Sequence, residues 1–395
     1  MNGTRFIVAG SFVDGSAANV RKNVFLTVKK GIITAIDPAV HLPRNDRDAI
    51  EDFSHCTILP PLVDCSVHLL RSPSVDGREQ RSTENAGPAE KLAMLERHIR
   101  YCHAHGVLGV VDSDEIASLL DLYQKRKGEG SNIDIRIPGH LFSGNQDCGP
   151  GASGDGDFLR IGYSSNIEDE EGLGPRLEQE NLYRLLQNRD LKKTVVVANG
   201  SRQVEEALEA DCDAIEQGYG MGEANLREMA KKGVLWIPSV LRAKNALDGA
   251  GSCGDVSCRF SQRYVAPGKP VPGAETFWKK MLADQLSQMR LARRFGVTTA
   301  VGTGAGSMGI LHGESMVEEM KLFIKAGYSL EETIRCASQT GAEFFGMKEL
   351  GTLTVGRKAT FLVARGTVKQ LPRKLSYLEG IYVAGRPSIA YRKHP

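Results

Sequence analysis

The sequence lacks several features that would assign it to a specialised class of protein. No run of apolar residues approaches the roughly 18 that a membrane-spanning helix needs. The first residues, MNGTRFIVAG, do not form a charged segment followed by a long apolar one, so we expect neither a membrane span nor a secretion signal. The formal net charge is only +2, and Lys and Arg are spread along the chain without interleaved aromatic residues. This pattern argues against a nucleic-acid partner.

The cysteines form no recognisable framework. In a chain of 395 residues without a secretion signal, scattered cysteines indicate free thiols and a cytoplasmic location. Cys253 and Cys258, in the Gly-rich segment GAGSCGDVSCRF, would supply half of a metal site, but the sequence has no matching second pair. The eight cysteines are at positions 56, 65, 102, 148, 212, 253, 258 and 336.

Both ends of the chain have the same β-rich character. RFIVAGSFVDG and NVFLTVKKGIITAID near the start, and GTLTVGRKATFLVARG and YLEGIYVAGRPSIAYR near the end, combine β-branched residues with Gly and Asp-Gly breaks. We therefore predict that residues 1–58 and 350–395 form one composite β-sandwich domain, with a larger domain, residues 59–349, inserted between them.

The middle of the chain alternates short apolar runs with amphipathic helical stretches, which is typical of βαβ units and a parallel sheet. Eight strand–helix units predict an α/β protein with a (β/α)8 barrel. A doubly wound open sheet is the alternative, but no Gly-x-Gly-x-x-Gly turn follows an early strand. The predicted strands are 58–64, 108–114, 133–142, 157–163, 194–199, 213–218, 234–240 and 298–304.

In a barrel of this kind the working side chains project from the carboxyl ends of the strands. The first predicted strand ends in LPPLVDCSVHLL. Because successive strand side chains alternate between faces, Ser66 and His68 share the interior face while Cys65 points outward.

This segment resembles the opening motif of the metal-dependent amidohydrolases, proline-glycine-hydrophobic-hydrophobic-aspartate-x-histidine-x-histidine. The resemblance continues in order through DFLRI, VVVANG, SRQVEEALEADCDAIEQG, GVTTAVGTGAG and the tail GTLTVGRKATFLV. It covers nearly the whole chain and is nearest to the prolidase-like and imidazolonepropionase-like branch. The resemblance implies a barrel with a sandwich domain, and hydrolysis of a carbon–nitrogen bond in cyclic amides or dipeptides.

The same resemblance shows where this chain departs from the family. The family has histidines at the positions of Ser66, His68, Asn199 and Gln217, a lysine that becomes carbamylated at Arg160, and an aspartate at Gly304. Only His68 keeps its ligand type, and Thr360 stands where the family's tail has an aspartate. Neutral amides and a hydroxyl are weak ligands for transition metals, and a guanidinium stays protonated and repels a dication. We therefore predict no binuclear centre, no bound metal and no cofactor.

Each of these residues also has a structural interpretation. His68 can be a barrel-interior histidine without a role, and Asn199 and Gln217 can hydrogen-bond across the old cavity. Arg160 can form an ion pair with Asp64 or Glu216, and alternation favours Asp64 because it turns Glu216 outward. Asp112 and Asp114, at the end of the second strand, can cap loops, and His312 can be a solvated loop histidine.

The functional interpretation is that an organic cation, the Arg160 guanidinium, takes the place of the family's metal ions in the pocket. Such a pocket suits a small anionic ligand such as a carboxylate. It predicts little or no metal-dependent turnover and leaves catalytic residues unassigned. The alternative is a hydrolase of carbon–nitrogen bonds that works without metal or with one atypical metal. The assembly state stays open, with a homo-oligomer as one alternative. The predicted ligand-binding residues are Ser66, His68, Arg160, Asn199, Gln217 and His312.

Overall fold

The structure, a computed structural model, describes residues 3–43, 50–74, 77–127, 133–143, 156–164, 177–189, 191–250 and 273–388. The strands in these ranges are β1 (Arg5–Phe12), β2 (Arg21–Lys29), β3 (Ile32–Pro38), β4 (Ile50–Leu59), β5 (Leu62–Val67), β6 (Val107–Asp112), β7 (Asp134–Arg136), β8 (Pro138–Ser143), β9 (Phe158–Gly162), β10 (Thr194–Ala198), β11 (Ala214–Gln217), β12 (Leu235–Ile237), β13 (Phe361–Arg365), β14 (Leu378–Val383) and β15 (Arg386–Pro387). The helices are α1 (Gly77–Glu84), α2 (Pro88–Ala104), α3 (Ala117–Lys127), α4 (Gln179–Gln187), α5 (Ser201–Glu209), α6 (Gly222–Lys232), α7 (Val240–Ala250), α8 (Ala274–Phe295), α9 (Ser315–Lys325), α10 (Leu330–Cys336) and α11 (Gln339–Phe344).

Strands from both ends of the chain share one sheet, in the order β15-β14-β13-β4-β1-β2-β3. The segment before β13 also bonds to β3, because Ile33 N–H donates to Arg357 O at 2.9 Å and Gly356 N–H donates to Ile33 O at 2.8 Å. The sheet therefore folds over its own apolar face, where Leu26 and Phe361 are fully buried. This is the predicted β-sandwich formed by both termini, and its boundaries at 1–58 and 350–395 remain a prediction.

The parallel strands form a ring. β5, β6 and β7 make one sheet, β8 to β12 make another, and β7 is separated from β8 by a single residue. The segment 298–305 joins the other ends, since Ala300 N–H donates to Trp236 O at 2.9 Å and His68 N–H donates to Ala305 O at 2.7 Å. Together with the helices that follow most strands, these contacts confirm the predicted (β/α)8 fold class.

Alternating side chains separate the interior of the ring from the helical layer. Leu159 and Ile161 pack in the large apolar cluster that contains the helix residues. Phe158 and Ala214 belong to a separate buried cluster. Because side chains two positions apart share a face, Arg160 lies on the same face as Phe158, and Glu216 lies on the same face as Ala214.

The helices present apolar stripes to this layer. In α8, Leu282, Leu286 and Met289 recur at helical spacing and are buried, while the helix ends at Gly296 in a left-handed conformation. Of the helices in the described part of the chain, none has both the length and the apolar character to cross a membrane.

Candidate functional site

A hydrogen-bonded ion pair crosses the barrel from the fourth strand to the sixth. Arg160 places Nε 3.0 Å and Nη2 2.9 Å from Glu216 Oε2. The hydroxyl of Ser66, on the first strand, donates to Glu216 Oε1 at 2.8 Å. The side chains of Arg160 and Glu216 are only 14% and 4% exposed. We call Ser66, Arg160 and Glu216 the cross-barrel network.

Both members of the ion pair are charged. Burial opposes ionisation of Glu216, but the adjacent Arg160 guanidinium and the Ser66 hydroxyl outweigh it and hold the Glu216 pKa below its ordinary value. The network therefore places a neutralised organic cation at the strand ends where the family that the sequence resembles has its lysine and one histidine.

The predicted choice of Asp64 as partner of Arg160 is wrong. Asp64 accepts from Thr303 N–H at 2.9 Å and from Thr303 Oγ1 at 2.6 Å, and burial raises its pKa to about 6. Gln217 has φ +72, in the left-handed region, so its side chain does not follow the strand alternation, and Glu216 faces the interior although Gln217 comes next in the chain. No signal in the sequence identifies Glu216 as the partner, because the positive φ of Gln217 has no recognisable motif.

His68 belongs to a second pair next to this network. Its Nδ1 lies 3.1 Å from both carboxylate oxygens of Asp114, and Arg71 Nη2 donates to Asp114 Oδ1 at 2.8 Å. Asp112 caps the local backbone, accepting from Leu69 N–H at 3.0 Å and Asp114 N–H at 2.7 Å. The loop-capping prediction therefore holds for Asp112, whereas Asp114 is the partner of the interior histidine.

For His68 and for Asp114, burial and the neighbouring charges shift the pKa in opposite directions. Burial lowers the pKa of His68, with Asp114 acting against it. Burial also acts to raise the pKa of Asp114, but His68 and Arg71 outweigh it, so the pKa of Asp114 lies well below its ordinary value. Burial raises the pKa of Asp112 to about 8. Hence Asp114 is ionised at neutral pH and His68 is neutral.

Asn199 and Gln217 bond to each other, with Asn199 Nδ2 2.7 Å from Gln217 Oε1. Asn199 Oδ1 also accepts from Tyr219 N–H at 3.0 Å. The backbone oxygen of Gln217 accepts from Trp236 Nε1 at 3.0 Å and from Gln285 Nε2 at 2.8 Å. Both amides are buried, and their hydrogen bonds connect the carboxyl ends of the fifth and sixth strands.

His312 is not a solvated loop histidine. It is buried, its Nε2 lies 3.0 Å from the backbone oxygen of His68, and its ring stacks on His98 with centroids 3.8 Å apart. It therefore supports the backbone behind His68, and ligand binding by His312 stays a prediction. Cys253 and Cys258 lie outside the described residues.

Gly304 stands at the position of the family's aspartate. Its φ is +70, a backbone conformation that residues other than glycine rarely adopt. Its N–H donates to Ser66 O at 2.8 Å. A Cβ placed there would lie 3.6 Å from Arg242 Cδ and 3.8 Å from Ser307 Oγ. The stem of Arg242, in the first turn of α7, would thus be in ordinary van der Waals contact with that Cβ, so the backbone angle and not lack of space disfavours an aspartate here.

These residues do not fit the binuclear metal centre that the resemblance implies. The strand ends carry a hydroxyl, a guanidinium, two amides bonded to each other and a glycine, with His68 as the one remaining imidazole among them. Within the described ranges, no group of three or more His, Cys, Asp or Glu side chains is arranged to hold a metal ion. Glu216 is itself bonded to a cation, which a second cation would have to displace.

Comparison with known proteins agrees with this architecture. Residues 175–388 match the amidohydrolase family. Similar solved structures include a Xaa-Pro dipeptidase with methionine bound in its active site, at 17% identity over 98% of this chain and 99% of that one, with a TM-score of 0.79. Ochratoxinase from A. niger is 15% identical, with 98% of this chain and 96% of that one covered and a TM-score of 0.77. Molinate hydrolase is 15% identical, with 98% of this chain and 95% of that one covered and a TM-score of 0.75. At such identities the likeness establishes the fold alone. A search of curated protein sequences gave no match.

Proposed function

The chain belongs to the amidohydrolase family, and from that premise we propose that it binds a small carboxylate-bearing molecule at the barrel mouth, with little or no metal-dependent turnover. The observation that carries the proposal is the cross-barrel network, in which Arg160, Glu216 and Ser66 bond to one another across the ends of three strands. A metal centre and this network need the same space and opposite charges, so the network supports a function that does not use metal.

Arg160 is the residue that we expect to contact the ligand. A guanidinium has five N–H donors, and the bonds to Glu216 use Nε–H and one Nη2–H. The other N–H groups can donate to a carboxylate at the carboxyl end of β9, in the paired geometry that arginine favours. Because Glu216 already neutralises the guanidinium, we expect weak binding, with a Kd of about 1 mM.

The first test is metal content. We expect the purified protein to contain far less than one transition-metal ion per chain, and chelator to leave Tm unchanged within about 1 °C, because the fold does not use metal binding energy. Elemental analysis and thermal melting with and without EDTA measure both. Stoichiometric metal that co-purifies, or a large fall in Tm with EDTA, would contradict the proposal.

The second test is anion binding. Titration of the protein with sodium acetate, against sodium chloride at equal ionic strength, should give a saturable signal by NMR. Arg160→Lys keeps the charge beside Glu216 but loses the planar fork, so we expect acetate affinity to fall by about tenfold. Arg227→Lys, on the exposed face of α6, is the matched control and should bind acetate as the parent protein does. Equal acetate binding by the Arg160 and Arg227 variants would remove the support for this site.

A further inference from the structure

The pair of His68 and Asp114 is not used by the ligand-binding function proposed above. We propose that Asp114 and His68 form the base of a metal-independent hydrolytic site that activates water beside Arg160. This inference rests on the proposed function, because the carboxylate held by Arg160 would be the product of the reaction. The substrate class is then the corresponding carboxylic ester or amide.

His68 is held on several sides. Its N–H donates to Ala305 O at 2.7 Å, and its backbone oxygen accepts from His312 Nε2 at 3.0 Å. Its ring nitrogen Nδ1 lies 3.1 Å from each oxygen of Asp114, which is in turn fixed by Arg71. The position of the ring is therefore set by the fold, and its remaining polar atom is Nε2.

This arrangement gives an imidazole the properties of a general base. When Nδ1–H donates to a carboxylate, the tautomer that carries a lone pair on Nε2 is selected, and the carboxylate stabilises the imidazolium that forms when Nε2 takes a proton. The side chains of His68 and Asp114 are 7% and 15% exposed, so bulk water screens this interaction little. Ser66, two residues before His68 on the same side of the chain, donates to the Glu216 carboxylate that Arg160 holds, so the cross-barrel network adjoins the segment that carries His68.

The reaction balances without any other reagent. His68 Nε2 takes a proton from water while the water oxygen forms a bond to the carbonyl carbon of the substrate. The carbonyl oxygen gains a negative charge, to which N–H groups of Arg160 donate. When the intermediate collapses, the bond from carbon to the leaving nitrogen or oxygen breaks and His68 returns its proton to that atom. The products are an amine or alcohol and a carboxylic acid, which ionises and stays on Arg160 as the carboxylate.

A carboxylate that orients a histidine is also the arrangement found behind metal-bound histidines. In this chain the other positions of that metal site carry Ser66, Arg160, Asn199, Gln217 and Gly304, which do not fit a metal. The same orientation of His68 is then available for proton transfer alone. A purely structural role for the pair would leave turnover in the presence of chelator independent of His68.

The test uses the full chain in excess EDTA, with 4-nitrophenyl acetate and 4-nitroacetanilide as probes. We expect the parent protein to hydrolyse the ester faster than buffer does, and His68→Gln and Asp114→Asn to lower kcat by about 100-fold, the size of a general-base contribution. Asp114→Asn preserves the size of the side chain, and we expect KM to change little because the acyl group is held by Arg160. His55→Gln, an exposed histidine on β4, is the control and should retain the parent rate.

The outcomes separate this inference from the proposed function. Parent turnover equal to buffer on both probes, or a rate in His68→Gln equal to that in His55→Gln, would overturn the inference, while saturable acetate binding by the same samples would leave the proposed function in place. Turnover that disappears with EDTA and returns with added zinc would overturn both. Circular dichroism and Tm of each variant show that a lower rate comes from a folded protein.

Discussion

Glu216→Ala is expected to lower the free energy of unfolding by about 3–5 kcal/mol, since it leaves the Arg160 guanidinium buried without its partner. The pair is 14% and 4% exposed, and Ser66 would also lose its acceptor. Equilibrium unfolding in urea, followed by circular dichroism, measures the change.

Two further variants separate the buried charge from other causes. Arg160→Met combined with Glu216→Leu replaces the pair by apolar side chains of similar size and should recover most of the lost stability. Arg227→Ala breaks the exposed pair between Arg227 and Glu223, whose side chains are 61% and 51% exposed, and should cost less than about 1 kcal/mol. If Glu216→Ala costs no more than Arg227→Ala, the cross-barrel network is not a buried ion pair.

Glu319→Gln is expected to make stability less dependent on pH. Glu319 is fully buried on α9 and accepts from Val240 N–H at 2.8 Å and Leu241 N–H at 2.7 Å, at the start of α7. Burial raises its pKa to about 8, against these two hydrogen bonds, from an ordinary value of 4.5. The folded state therefore binds this proton more tightly than the unfolded chain. Its contribution to stability is complete below pH 4.5 and is lost as the pH rises to about 8.

Glutamine resembles the protonated carboxyl group and cannot ionise. The unfolding free energy of Glu319→Gln minus that of the parent should therefore increase between pH 4.5 and 8, by an amount on the order of 4 kcal/mol. The difference is the useful quantity because burial lowers the pKa of His98 and of His103, which gives the parent an opposite slope near pH 6. Glu318→Gln, the neighbouring half-buried residue paired with Lys321, is the control. A pH-independent difference for Glu319→Gln would show that its carboxyl group is ionised throughout this range.

The fold could be predicted from the sequence because apolar residues recur with a period of about two in half-buried strands and about 3.6 in amphipathic helices, and short apolar runs mark the buried strands between them. The predicted third strand, 133–142, is broken into β7 and β8 at Ile137 and Pro138, since proline has no N–H for the ladder. The predicted eighth strand, 298–304, meets its neighbours only in isolated bridges and backbone hydrogen bonds, and its Gly304 lies outside the extended region.

The candidate site was less predictable because its pairs join residues far apart in the chain. The choice of Glu216 rather than Asp64 depended on the backbone of Gln217, whose positive φ leaves no mark on the sequence. Asp114 pairs with His68 across neighbouring strands, and only the register of β5 and β6 brings them together. Glu319 could not be singled out from the sequence, because a glutamate beside Glu318 in the segment SMVEEMKLFIK is far more often exposed than buried.

The left-handed backbone at Gly304 affects how a metal site could be introduced into this barrel. Aspartate at position 304 would have to adopt φ near +70, at a cost of about 1–2 kcal/mol. Replacing Arg160 by lysine would weaken the bonding of Glu216, and replacing Ser66 by histidine would remove the Ser66 hydroxyl that donates to the same carboxylate. Each of these substitutions alone is expected to make a less stable protein and no metal site. Metal binding in this barrel would therefore be cooperative in the number of substitutions: several are needed together, because no single one gains metal-binding energy that could offset its loss of stability.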